Sequence, residues 1–340
     1  MKKISFLFMA LILVTSLIIA GCAAPEPKPK PAPEPAPEPI VWEAVSLFPA
    51  GYEIGIPVHA LADKVNTRSN GELRIDFLGG PEVIGMFDQA SAVKAGVVEM
   101  AFIFTGAYSG LVPGSEAVAF SRLTPDEEHE TGFWDFMVGL HKEAGLFYLG
   151  SWNFSGSAPV LFIYTNVRVD RPQELAGQKM AGVGMIADPF MKALGMAHTL
   201  MSYGDLYSAM EQGVVDGFWD SRTGPVGMGL TDVSKYFIDH GFYVDNTVFI
   251  VNLDSWNSLP QHLQDLVMES AEEVGREMPA MHKEVVDRDT QAMLDAGVEL
   301  IKFSPADAKW FTELAYEIAW DDLTQKYPEI AAEAKALLTK

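Results

Sequence analysis

Cysteine is nearly absent: the 340-residue chain has one, Cys22. A lone thiol near the start leaves the folded part without a disulfide and without a thiol nucleophile. Basic residues are also scarce. Lys and Arg number 24 against 46 Asp and Glu, for a formal net charge of −22. That balance argues against nucleic-acid binding and against adhesion to anionic lipid, and an anionic solute would need local donors or cations to overcome the general field. No G-x-S-x-G elbow is present, and the seven histidines form no metal-spaced pair. His129-Glu130 begins an HExxH-like string, but Phe133 stands where the second histidine belongs. The chain thus lacks visible hydrolase, metal or thiol chemistry.

What is present begins with an export signal. Lys2 and Lys3 precede the apolar run Ile4–Ile19, short of the ~20 residues of a membrane span. Ile19-Ala20-Gly21-Cys22 reads as a lipobox, which predicts a signal peptide over residues 1–21 and a lipid on Cys22. Residues 22–40 form a linker with proline at every second position from Pro25 to Pro39. Such a segment extends as polyproline II at ~3.1 Å per residue and spaces an anchor from a domain.

The organising stretch is Arg171–Arg222, which reads strand–helix–strand–helix–strand. Gln178–Val183, His198–Met201 and Val214–Trp219 are its strands. Asp188-Pro189 opens the first helix, with Asp as N-cap and Pro at the first helical position, and Gly195 ends it. Ser202 and Asp205 open the second helix with a weak capping-box spacing. The same unit occurs earlier, with strands at Val41–Phe48, Leu73–Leu78 and Val97–Phe104 and helices at Pro57–Arg68 and Phe87–Ala95. The junctions echo each other: AVKAGVVEMAF at Ala92–Phe102 against AMEQGVVDGFW at Ala209–Trp219. Alternating strands and helices make parallel sheets with right-handed crossovers. Two such units in ~300 residues predict two α/β lobes facing across a cleft. Ligands on such sheets sit beyond the carboxyl ends of the strands. That rule gathers Ala181–Gly184, Met201–Tyr203 and Trp219–Arg222 around one site.

Further along, Thr124-Pro125-Asp126-Glu127 is a capped helix start, expected to run to Gly145, with Asp126–Glu130 complementing its dipole. Phe147–Phe154 and Val160–Tyr164 are expected to cross between the lobes and Val244–Asn252 to cross back. Ser258–Arg276 opens a long helix, which Pro279 should kink or break before Met281–Ala296. Val298–Phe303 is a last strand, and Ser304 caps a further helix. Gly182-Val183-Gly184-Met185-Ile186-Ala187 fits G-x-G-x-x-A, with Asp205 about 20 residues on. This is the one argument for a secreted oxidoreductase. Against it, Asp188-Pro189 restarts the helix, which ends by Gly195, too soon for a dinucleotide fingerprint.

Taken together, NGELRIDFLGGPEVIG (Asn70–Gly85), PQELAGQKM (Pro172–Met180), AMEQGVVDG (Ala209–Gly217), SLPQHLQDLVMESAEEVG (Ser258–Gly275) and LDAGVELI (Leu294–Ile301) resemble one family. It is that of the dicarboxylate-binding (DctP-like) solute-binding proteins of tripartite ATP-independent periplasmic (TRAP) transporters. The resemblance implies a two-lobed α/β fold of the type II-like periplasmic-binding-protein kind. Its parts are two parallel or mixed sheets, a hinge with shared strands, and a long kinked helix spanning both lobes. It implies lobe I at 41–164 and 248–275, lobe II at 165–247 and 276–302, and C-terminal helices at 303–340. It further implies closure on a small organic solute and delivery to TRAP permease subunits in the membrane, by a monomer outside the cytoplasm, with no catalysis and no cofactor or metal. A lipoprotein that presents its solute to a sensor is the alternative.

One departure matters. After the family's G-x-K-hydrophobic motif comes an arginine that forks onto the ligand carboxylate; here Gly177-Gln178-Lys179-Met180 is followed by Ala181. With no clamp there, an aromatic or partly apolar ligand is expected in place of a simple organic acid, unless Arg222 or Arg122 turns in. The candidate ligand-binding residues are Trp219, Asp220, Tyr203, Ala181, Gly182 and Arg222 on the second unit. Phe48, Tyr52, Phe104, Tyr108, Trp152 and Asn153 are their counterparts on the first unit and the crossing strand. Trp219 is expected as a cleft wall, and Asp220 either accepts from a ligand hydroxyl or amine or pairs with Arg222.

Overall fold

In the computed structural model, residues 39–49, 56–151, 158–244 and 247–339 are described, all within one unit, Pro39–Lys340. The expected signal peptide, Cys22 and most of the proline-rich stretch lie outside these, as do Tyr52, Trp152 and Asn153. In chain order come β1 (Ile40–Ser46), α1 (Ile56–Arg68), β2 (Leu73–Gly79), α2 (Gln89–Lys94), β3 (Met100–Phe104), α3 (Pro125–Thr131), α4 (Phe133–Glu143) and β4 (Leu146–Ser151). Next are β5 (Phe162–Thr165), β6 (Lys179–Gly182), α5 (Asp188–Ala193), β7 (Ala197–Leu200), α6 (Tyr203–Glu211), β8 (Gly217–Asp220), α7 (Gly224–Gly227) and β9 (Tyr236–Ile238). The chain closes with β10 (Thr247–Asn252), α8 (Leu253–Ser258), α9 (Gln261–Asp295), β11 (Glu299–Ile301), α10 (Pro305–Lys326) and α11 (Pro328–Leu338).

Among the described residues there are two sheets, ordered β2-β1-β3-β10-β4 and β11-β9-β5-β8-β6-β7. Apart from the edge strand β11, they share one plan. A parallel trio (β2-β1-β3 or β7-β6-β8) takes an antiparallel strand beside its last member. That added strand is β10 in the first sheet and β5 in the second, each far in sequence from its neighbours. The sequence echo falls where this plan requires it. Gly96 and Gly213 take φ +67° and +68° just before β3 and β8, a left-handed turn that glycine adopts without strain.

The chain passes between the sheets from β4 to β5, from β9 to β10, and again after β10 by way of α9. Phe162–Thr165 pairs within the second sheet, so lobe I ends before 162 and not at 164. Ile40, placed in the linker from sequence, is already paired with Leu73. α9 packs on α1 and β4 of the first unit and on α7 of the second. Its stripe Leu263, Val267, Ala271, Val274 and Met278 is buried, at the spacing of one helix face.

Three local expectations need correction. Pro279 does not break α9, which runs without interruption for 35 residues. Anchoring on both sides, through Lys64–Glu273 at 2.8 Å and the buried Met278 and Met293, outweighs the lost hydrogen bond. The helix from Pro125 does not reach Gly145: Gly132, at φ +81°, divides it into α3 and α4. Ala187, not Asp188, is the N-cap of α5. The Asp188 carboxylate instead accepts from Lys192 and pairs with His198.

The core is continuous from the first sheet to the C-terminal helices. Phe147 stacks on Trp256 at 4.0 Å, and Phe190 meets Phe311 of α10 at 5.0 Å. The far face of the second sheet has its own cluster, with Tyr164 stacked on Phe218 at 4.7 Å among Leu206, Met210 and Met293.

Candidate functional site

The carboxyl ends of the parallel strands in both sheets meet at a cavity in which the centres of water-sized spheres have about 80 Å³. One water-sized sphere needs ~10–15 Å³ on that measure, so a small organic molecule fits. The first sheet contributes Leu47 and Phe48 after β1, Phe104 at the end of β3 and Thr247 at the start of β10. The second contributes Val183, Gly184 and Ile186 after β6, Tyr203 after β7, and Trp219, Asp220, Ser221 and Thr223 at the end of β8. Val160 and Leu161, leading into β5, and His282 of α9 complete the lining. The two walls converge on Gly184, where an added Cβ would lie 3.3 Å from Phe104 and 3.6 Å from Trp219.

Trp219 is held by its neighbours across two strands. Its indole lies over β6 at Gly182, where an added Cβ would sit 2.0 Å from Nε1. Glycine is the residue that lets the ring lie flat there. The indole N–H then reaches β7 and donates to His198 Nε2 at 3.0 Å, while His198 Nδ1 bonds Asp188 at 3.2 Å. Burial pushes the imidazole pKa below its usual value, and the Asp188 hydrogen bond opposes that only in part.

Asp220 is the second feature. It is 94% buried, at 6% relative exposure. Oδ1 accepts from the Ser221 amide at 2.6 Å, whereas Oδ2 makes no hydrogen bond. Burial pushes the carboxyl up to about 7, against hydrogen bonds from Ser221 and the Tyr203 hydroxyl that hold it down. Thr223 Oγ1, also buried, is likewise without a partner. Two buried polar atoms on one cavity wall thus have hydrogen-bonding capacity to spare.

Of the residues singled out from sequence, Phe48, Phe104, Tyr203, Trp219 and Asp220 line this cavity. Ala181 does not: it is fully buried on the opposite face of β6, paired with Phe218 in the second cluster. Gly182 supports Trp219 and is not part of the lining. Tyr108 is core, its hydroxyl donating to His141 Nε2 at 2.8 Å, since His141 Nδ1–H is committed to the Met137 carbonyl. Arg222 turns away, paired with Asp239 and stacked on Phe162 and Phe237 at 4.7 and 4.8 Å. Arg122 lies 3.9 Å over the Tyr316 ring. Neither arginine lines the cavity.

His282, Thr223 and Thr247 escaped the sequence reading. His282 follows Pro279 on a helix whose register toward the cleft is set by packing, and Thr247 starts a strand imported from far along the chain. Thr223 lay within reach of the strand-end rule, one residue past the stretch considered. The G-x-G-x-x-A stretch fares differently. Gly182 and Gly184, the positions a pyrophosphate would approach, are covered by the Trp219 and Phe104 rings.

Comparison with known proteins agrees with this geometry. A solute-binding protein from Chromohalobacter salexigens is 23% identical over 297 residues, covering 85% of this chain and 86% of its own. A monocarboxylate 2-oxoacid-binding periplasmic protein from Nostoc is 21% identical, over 82% of this chain and 78% of its own. Among solved structures, a TRAP periplasmic solute-binding protein from Desulfovibrio salexigens with bound orotic acid superposes with a TM-score of 0.78. It is 18% identical and covers 88% of this chain and 97% of its own. Another from Chromohalobacter salexigens, with bound D-glucuronate, gives 0.76 at 21% identity, covering 87% and 99%. The profile of the bacterial extracellular solute-binding proteins, family 7 (DctP), matches residues 46–326. The chain belongs to that family of solute-binding proteins.

Proposed function

We propose that this chain is the extracytoplasmic solute-binding component of a TRAP transporter. On this reading it is anchored through a lipid on Cys22, holds a small organic solute between its sheets, and passes it to membrane permease subunits. The observation that carries the reading is the cavity built jointly from both sheets and α9. Strands exchanged between the units (β5, β10) and the shared helix allow hinged closure over that space. No turnover is assigned to the site.

The solute is aromatic or partly apolar and not a simple organic acid. Burying a carboxylate without matched donors costs several kcal/mol. Among the described residues no Lys or Arg lines the cavity, and the two candidate arginines are engaged elsewhere. Mass spectrometry of the compound that co-purifies with the protein, followed by calorimetry with that compound, is the direct test. Micromolar binding of succinate or pyruvate would overturn the ligand assignment. Solute uptake that survives deletion of the chain, with loss of a transcriptional response, would favour the sensor.

A further inference from the structure

The cavity carries a more specific message, which rests on the solute-binding reading above. Four of its walls are aromatic: Phe48 and Phe104 from the first sheet, Tyr203 and Trp219 from the second. The same lining includes Asp220, whose Oδ2 makes no hydrogen bond although the residue is 94% buried, at 6% relative exposure. All eight arginines of the chain fall outside the lining, as do the lysines among the described residues. The formal charge of the whole chain is −22.

We infer that the site recognises a small organic ammonium ion, a primary amine or a quaternary ammonium carrying an apolar body, through the four aromatic rings and the Asp220 carboxylate.

The argument is electrostatic. Aromatic faces carry partial negative charge, and a desolvated cation near several of them is attracted by each. A buried carboxylate adds a full opposite charge, and its free oxygen can take an N–H or lie against an ammonium methyl group. A carboxylate ligand would meet the opposite field, with an acid beside it and no guanidinium to fork onto it. The remaining polar groups suit either end of such a ligand: Ser221, Thr223 and Thr247 offer hydroxyls, with Thr223 Oγ1 unpartnered.

Protonation gives the reading a second signature. With burial pushing Asp220 up to about 7, the empty site is partly protonated near neutrality. A cation selects the ionised form, so its affinity should rise as pH climbs through that value and its binding should release a proton. A carboxylate ligand held by the protonated acid would show the reverse. Sharing the cavity lining with Asp220 are Ser221 and Thr223 on its own strand end, Tyr203 at the start of α6, Thr247 on β10 and His282 on α9. Of these, Tyr203 and His282 carry ionisable side chains, and a His282→Gln protein separates its contribution from that of Asp220.

The test compares choline with 3,3-dimethylbutan-1-ol, its uncharged isostere, by calorimetry and thermal shift on the full chain. Phenylethylamine and 2-phenylethanol form a second matched pair. The ammonium of each pair is expected to bind at least tenfold tighter than its alcohol, more tightly at pH 8 than at pH 6. Asp220→Asn should abolish that preference. The wild-type comparison stands even if the variant fails to fold. Equal binding of ion and alcohol overturns the inference, and so does failure of both ammonium ions to bind. If D-glucuronate or orotate binds instead, with affinity rising as pH falls, the cation assignment is lost while solute capture stands.

Discussion

The indole N–H of Trp219 donates to Nε2 of His198 across 3.0 Å, and this bond fixes the state of the imidazole. An indole is a donor only, so Nε2 must be unprotonated and Nδ1–H must point at Asp188. The chain Trp219–His198–Asp188 therefore holds one cavity wall in place through a neutral histidine. A protonated His198 would set two N–H groups against each other.

Removing this support should loosen the wall. His198→Leu leaves the indole N–H buried without a partner, at a cost of about 1–3 kcal/mol in a urea titration. His198→Gln, whose amide oxygen accepts, should recover much of it. Gly182→Ala forces the same ring aside from the other direction, since the new Cβ would stand 2.0 Å from Nε1. Each change should alter tryptophan fluorescence and weaken solute binding. Trp219→Ala should cost about 1–3 kcal/mol of affinity, the range of a buried aromatic anchor. Unchanged fluorescence and affinity in Gly182→Ala would show that the indole does not lie across β6.

Much of this site could be read before the structure. Carboxyl ends of parallel strands follow from the alternation of elements, and that rule brought Trp219, Asp220, Tyr203, Phe48 and Phe104 to one place. It failed where side-chain direction decides. Ala181 sits at the right strand end but on the wrong face, because Met180 and Gly182 take the cavity side of β6. Arg222 is three residues from Trp219, yet Asp239, which follows β9 two strands away in the second sheet, takes its guanidinium. Tyr108 was lost to a buried histidine, His141, whose position no local pattern reveals. Such partners are set by tertiary packing, and the sequence alone does not name them.

The position of Arg222 predicts which property its loss affects. Paired with Asp239 and sandwiched near two phenylalanine rings, it is a structural cation. Arg222→Ala should lower stability by roughly 1–3 kcal/mol, through lost packing and a partly buried acid left with Lys302 alone, at 3.6 Å, and leave solute affinity within about threefold. Arg222→Lys should restore little, since an ammonium lacks the planar fork and the stacking surface. A large loss of affinity with unchanged stability would return Arg222 to the role of carboxylate clamp.

The proposed lipid anchor is open to a simpler check. On that proposal Cys22→Ala should leave an uncleaved or released protein, seen by fractionation, with solute affinity unchanged, since Cys22 and the cavity residues are far apart in sequence. An affinity change beyond about tenfold, ~1.4 kcal/mol, would mean that the linker touches the domain.

The last prediction concerns a buried acid outside the cavity. Glu128 on α3 accepts from the Ser151 hydroxyl at 3.0 Å, where β4 ends, and burial pushes its pKa from 4.5 up to about 7. A carboxyl whose folded pKa is raised holds its proton more tightly in the folded state. Its contribution to stability is therefore full below about 4.5 and lost as pH rises through about 7, at roughly 1.4 kcal/mol per unit of pH. His141 acts in the opposite sense. Burial lowers its pKa from 6.5 to about 4, so its contribution is full above 6.5 and lost as pH falls. The two slopes partly cancel in the wild type, and a bare pH profile will not separate them. Glu128→Gln removes one of them while keeping an acceptor for Ser151. Denaturant titrations should show that variant gaining on the wild type steadily from pH 5 to pH 7 and holding a lead of roughly 2–3 kcal/mol at pH 8. A stability difference that does not change with pH would mean that Glu128 is ionised in the folded protein throughout, and that water reaches it.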